Sequence, residues 1–83
     1  MQGKRIYLND DAFLPQSGEY GIFNNIWFAC TPNGLLGNLA SHDVIEHEDG
    51  AITVSPSILV TSRNSGGEVA WHGYLEHGVW REV

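Results

Sequence analysis

Apolar and polar positions alternate most clearly between residues 51 and 61, where Ile52, Val54, Ile58 and Val60 alternate with Thr53, Ser55, Ser57, Leu59 and Thr61. A period of two is that of a half-buried strand. Asp49-Gly50 stands between this run and residues 43–48, which also read as a strand, and the dipeptide predicts a hairpin with a two-residue type I′ turn. His47 then falls across from Ile52, at the rim of the apolar face. Pro56 has no ladder donor, so it marks an edge, a bulge or a break between two strands.

The rest of the chain reads the same way. Residues 4–8 form a short first strand, and residues 11–20, with Pro15, Ser17 and Gly18, a loop. Residues 21–30 are rich in β-formers and read as one strand, with Asn24-Asn25 as a turn or bulge. Thr31-Pro32-Asn33-Gly34 has turn chemistry, and residues 35–40 form a connector with room for one helical turn. Residues 63–67 form a flexible connector. Residues 68–75 and 79–82 make a second hairpin around His77-Gly78. In that register Leu75 faces Trp80 and Tyr74 faces Arg81. Val69, Trp71, Leu75 and Trp80 share the inner face, and His72, Tyr74 and Arg81 the outer one.

No segment carries a helical apolar period over ten residues. The expected fold is therefore all-β, with at most one short helix, its antiparallel hairpins forming a small sandwich or partial barrel. At 83 residues it is a single domain spanning 1–83, small enough that its nine aromatics must supply much of the buried area.

Charge narrows the function classes. Ten acidic residues oppose four basic ones, and between Arg5 and Arg63 every charged residue is acidic. No basic patch is present to displace counterions from phosphates, so direct binding to nucleic acid is not expected. An acidic surface suits a basic protein partner. The absence of an apolar run of about 18 residues argues against a membrane span. The single cysteine, Cys30, and the lack of a leader-like N-terminus point to the cytoplasm of a host cell.

The candidate chemistry is sparse. A tetrahedral zinc site draws four nitrogen or sulfur ligands from close pairs. His42 and His47, like His72 and His77, are five apart, and on a strand such residues point to opposite faces. A metal would need one histidine from each hairpin, His72 with His42 or His47, to converge with Cys30. Cys30 with His72 is also the one pairing for nucleophilic catalysis, and at the end of an apolar strand Cys30 reads as an inert buried thiol. Glu46 and Glu76, related by the echo between His42-Asp-Val-Ile-Glu-His47 and His72-Gly-Tyr-Leu-Glu-His77, read as solvated rather than as a carboxylate pair. The expectation is a protein without a catalytic constellation and without a cofactor. Its contact face is His72, Tyr74 and Arg81 together with the acidic Glu46, Glu48 and Asp49. Tyr, Trp and Arg dominate binding hot spots. Exposed sheet edges admit a homodimer.

Three segments, Phe28-Ala-Cys30-Thr-Pro-Asn-Gly34, Val54-Ser-Pro-Ser-Ile58 and Trp71-His72-Gly-Tyr-Leu-Glu-His-Gly78, resemble a group of small phage and prophage proteins of unknown function, often labelled "ammonia monooxygenase". The resemblance covers about residues 26–80, and its Ser-Pro-Ser-Ile element is the most specific part. It implies a small β fold in a phage or prophage setting and supplies no reaction. Of the cysteines that would hold zinc in that group, only Cys30 is present, and Trp71 stands where a cysteine would precede His72. Three function classes follow: a protein-binding module, such as an accessory factor or an inhibitor of host defence; a zinc-stabilised or metal-assisted enzyme; and a structural or assembly subunit of a phage.

Overall fold

A computed structural model describes residues 1–7, 15–61 and 69–83. The chain is all-β, with no helix among the described residues. The strands are β1 (Lys4–Arg5), β2 (Glu19–Phe23), β3 (Ile26–Cys30), β4 (Leu36–Asn38), β5 (Asp43–Glu46), β6 (Ile52–Ser55), β7 (Ile58–Thr61), β8 (Val69–Glu76) and β9 (Val79–Glu82). They form three small sheets: β1-β2-β3-β4, β5-β6 and β7-β8-β9. The expected 63–67 connector and the first part of the expected 11–20 loop lie outside the described residues.

Turn chemistry sets this division. Asn24 and Asn25 both take positive φ, 50° and 64°, and join β2 to β3 with Phe23 opposite Ile26. The single strand expected over 21–30 is therefore a hairpin, because asparagine tolerates the left-handed region at modest cost. His77 (φ 45°) and Gly78 (φ 76°) do the same between β8 and β9, with Glu76 opposite Val79. Leu75 faces Trp80 and Tyr74 faces Arg81, as the alternation requires.

Asp49-Gly50 behaves differently from expectation. Only Gly50 has positive φ, the Gly50 N–H donates to the His47 carbonyl at 3.0 Å, and the His47 N–H donates to the Ala51 carbonyl at 2.8 Å. This is a turn over residues 47–50 with a glycine bulge rather than a two-residue turn. The Asp49 carboxylate stabilises it by accepting the Ala51 N–H at 3.1 Å. The extra residue moves the register by one. Glu46, not His47, is opposite Ile52, Val44 is opposite Val54 on the inner side, and Ile45, opposite Thr53, is exposed.

Of the alternatives at Pro56, the chain takes the break between two strands: β6 pairs with β5 and β7 with β8, in different sheets. The 35–40 segment holds a strand instead of a helical turn. The Thr31–Gly34 turn, closed by the Gly34 N–H to the Thr31 carbonyl at 2.8 Å, sends the chain straight back along β3 with Cys30 opposite Leu36.

The N-terminal residues join the sheets. The Trp80 N–H of β9 donates to the Met1 carbonyl, and the Gly3 N–H to that of Gly78 in the turn before it. Lys4–Arg5 then pairs in parallel with β2. Gly3 has to be glycine, since a Cβ there would lie within 3 Å of the carbonyl oxygens of Gly78 and Gly18 and of the Trp80 indole nitrogen. The core enclosed by these layers consists of Tyr20, Ala29, Leu39, Ile52, Val54, Ile58, Trp71, Leu75 and Trp80. Trp71 and Trp80 meet edge to face, centroids 5.3 Å apart, and the Trp80 indole N–H donates to the Gly18 carbonyl at 3.0 Å. Val69, expected on the inner face, is exposed. The ladder shifts between Val60 and Thr61, and Val69 lies beyond that irregularity.

Candidate functional site

The three-stranded sheet β7-β8-β9 buries Ile58, Trp71, Leu75 and Trp80 on one side. Strand alternation puts Leu59, His72, Tyr74 and Arg81 on the other. There the Arg81 guanidinium sits 5.0 Å from the centre of the Tyr74 ring and donates to Glu76 at 2.7 Å. Leu59 is opposite His72 and is 52% exposed, and Tyr74 is 37% exposed. Leu59 was absent from the expected contact face. Its place in the alternation shows that it faces outward, but a leucine in a strand reads first as core.

The acidic members of the expected face sit on the β5–β6 hairpin and differ among themselves. Glu46 is bonded to Arg5 Nη1 at 2.6 Å. That arginine also donates to the Gly50 carbonyl at 2.9 Å and lies over the Tyr7 and Trp27 rings at 4.6 and 4.8 Å. Glu48 is exposed. Asp49 accepts the Ala51 N–H on one oxygen and meets His77 Nε2 at 3.0 Å with the other. The backbone bond first, then the histidine, hold its carboxyl below the usual carboxylate range.

The sequence echo between the hairpins has a spatial counterpart. The last histidines, His47 and His77, stack with centroids 4.1 Å apart and planes inclined by 4°. His47 Nε2 lies 2.7 Å from the Thr53 hydroxyl, which also accepts the His77 backbone N–H at 2.9 Å. The first histidines meet at one serine. His72 Nε2 is 2.9 Å from Ser57 Oγ, and His42 Nε2 is 3.3 Å from the Ser57 carbonyl. Each echoed glutamate takes an arginine, Arg5 for Glu46 and Arg81 for Glu76. The sequence reading does not contain these pairings.

The histidines are thus gathered in pairs, and the pairs differ from the expected set of Cys30, His42, His47 and His72. His47 joins His77, while His42 and His72 join Ser57. Cys30 is buried, and burial, then the Glu19 charge, push its thiol upward, which keeps it protonated. Among the described residues no three His, Cys, Asp or Glu side chains are grouped to hold a metal ion. Stacked imidazoles point their ring lone pairs along parallel planes, whereas a shared metal needs them to converge. His72 reaches the Ser57 hydroxyl at 2.9 Å rather than the Cys30 thiol, and the other hydroxyl–imidazole contact among the described residues is Thr53 with His47 at 2.7 Å. Comparison with protein-family models, curated proteins and solved structures finds no match to this chain.

Proposed function

We propose that this chain is a small acidic protein-binding module of phage or prophage type that acts in the host cytoplasm by capturing a host or phage protein, without catalysing a reaction. The observation that carries this reading is the outer face of β7-β8-β9, where Leu59 and Tyr74 stand exposed beside His72 and Arg81. Planar and apolar side chains on a flat sheet lose little conformational entropy when covered, and a flanking arginine adds a directional donor. Arg5 and Arg81 are already engaged by Glu46 and Glu76, so their charge is neutralised locally. The remaining acidic excess favours a partner with a basic rim and speeds its approach at low salt.

The double substitution Leu59→Asp and Tyr74→Ala tests the reading. A partner retained from host lysate by immobilised protein is expected to be lost by this variant and to weaken as salt rises, while the variant melts within a few degrees of the wild type. Retention that withstands both the substitutions and salt would move the contact to another surface. The assembly-subunit reading uses the same face for copies of this chain. Sedimentation of the pure protein separates the two, since a defined oligomer dispersed by Leu59→Asp would favour assembly.

A further inference from the structure

The two hairpin turns are held together by the stacked pair His47 and His77. The pair lies flat ring to ring at 4.1 Å, and both residues reach Thr53. Its surroundings are unequal. His77 Nε2 touches the Asp49 carboxylate at 3.0 Å, whereas the partner of His47 Nε2 among the described residues is the neutral Thr53 hydroxyl at 2.7 Å. We propose that this pair is a proton-operated clasp between the β5–β6 and β8–β9 turns, closed while at most one ring carries a proton and opened when both do.

The argument is one of charge placement. A first proton on His77 forms an ion pair with Asp49 and leaves a cation lying on a neutral aromatic ring, an attractive arrangement. A second proton on His47 puts two like charges about 4 Å apart, and the residue it bonds offers no counter-charge. Among the described residues, the other charged and titratable groups near the turns are engaged or directed elsewhere. Glu46 is bonded to Arg5, Arg5 reaches the Gly50 carbonyl, and Glu76 is bonded to Arg81. The Tyr7 hydroxyl approaches Gly50 and the Tyr20 hydroxyl approaches Gly78. Glu48 is exposed and has no bond to either ring among the described contacts. Thr53 couples the clasp to the fold, because its hydroxyl also accepts the His77 backbone N–H and its strand is paired to β5. Opening would free His77 from Thr53, while the Gly78 N–H still donates to the Ile52 carbonyl of β6 at 2.9 Å and limits the movement to the His77 side of the turn. Histidine is the side chain that makes such a device responsive between about pH 5 and 8.

The test is amide hydrogen exchange and ring-proton NMR followed from neutral pH into the acid range on three proteins. In the wild type, acidification is expected to abolish the mutual ring-current shifts of His47 and His77 and to accelerate exchange at the His77 amide. Intrinsic base-catalysed exchange slows in acid, so acceleration reports opening. His47→Gln keeps a hydrogen-bonding group but cannot form the second charge, and its turn is expected to stay closed through the same range. Asp49→Asn removes the compensating charge, and opening is expected at a higher pH than in the wild type. If His47→Gln opens like the wild type, or if the wild-type His77 amide shows no acid acceleration, the clasp is wrong. The readout needs no partner, so it can fail or succeed independently of the binding function.

Discussion

Arg5 and Glu46 meet at 2.6 Å across forty-one residues of sequence, joining the N-terminal strand to the β5–β6 hairpin. The side chains differ in exposure, 11% for Arg5 and 50% for Glu46, and this asymmetry decides which of them matters more for stability. Arg5 is packed between Tyr7 and Trp27 and bonds the Gly50 carbonyl, so its removal loses several contacts at once. Arg5→Met is expected to cost about 1–3 kcal/mol in a urea unfolding curve. Glu46→Gln, which removes only a half-exposed charge, is expected to cost less than about 1 kcal/mol. Equal losses for the two would mean that the ion pair itself, rather than the packed guanidinium, holds the strand.

Trp80 combines buried area with a directed polar contact. It packs edge-on with Trp71, and its indole N–H satisfies the Gly18 carbonyl inside the protein. Trp80→Phe keeps most of the apolar area and removes one of two bonds to that carbonyl, which still accepts the Lys4 N–H at 3.1 Å, at an expected cost of about 0.5–1.5 kcal/mol. Trp80→Ala adds a cavity and is expected to cost about 3–5 kcal/mol, enough to unfold much of so small a domain. Comparing the two denaturation midpoints separates the hydrogen bond from the volume.

The all-β class and the inner face of the second hairpin were readable because alternation, a His-Gly turn and large aromatics agreed at Trp71, Leu75 and Trp80. What was missed came from information that periodicity does not hold. The Asp49-Gly50 register depended on one carboxylate reaching the Ala51 N–H, a local bond that competes with the two-residue turn and displaced His47 from its expected place across from Ile52. Asn24-Asn25 could be recognised as a turn or bulge, but choosing between them needed the pairing of Phe23 with Ile26. The site was less legible still. Arg5 and Glu46, or His47 and His77, are brought together by the arrangement of separate hairpins, and no local pattern encodes it.

The Asn24-Asn25 turn places two side-chain-bearing residues in the left-handed region, at φ 50° and 64°. The second position of a type I′ turn favours glycine. Asn25→Gly is expected to stabilise the protein by about 0.5–1 kcal/mol, the relief of left-handed strain exceeding the added freedom of the unfolded chain. Asn25→Val, β-branched and intolerant of positive φ, is expected to destabilise it by at least about 1 kcal/mol. A thermal shift of the same sign for both substitutions would contradict the turn assignment.

Asp49 gives the protein an acid-sensitive element of known sign. The Ala51 N–H and His77 hold its carboxyl below the ordinary value of 3.8, so the folded state favours the ionised form. A group depressed on folding contributes stability that is fully present above its unfolded pKa and is lost as pH falls through the folded one. Titration of the Asp49 carboxyl is therefore expected to add no slope to the melting temperature above about pH 5, where its contribution is fully present, and to add a decline below about pH 4. Asp49→Asn keeps an oxygen for the Ala51 N–H but cannot titrate. Its melting curve is expected to fall less steeply than the wild type in that acid range, and the carboxylate is exposed, so the difference is expected to shrink with added salt. Parallel acid limbs for wild type and variant would show that the turn is held by backbone geometry alone, with the carboxylate charge contributing nothing.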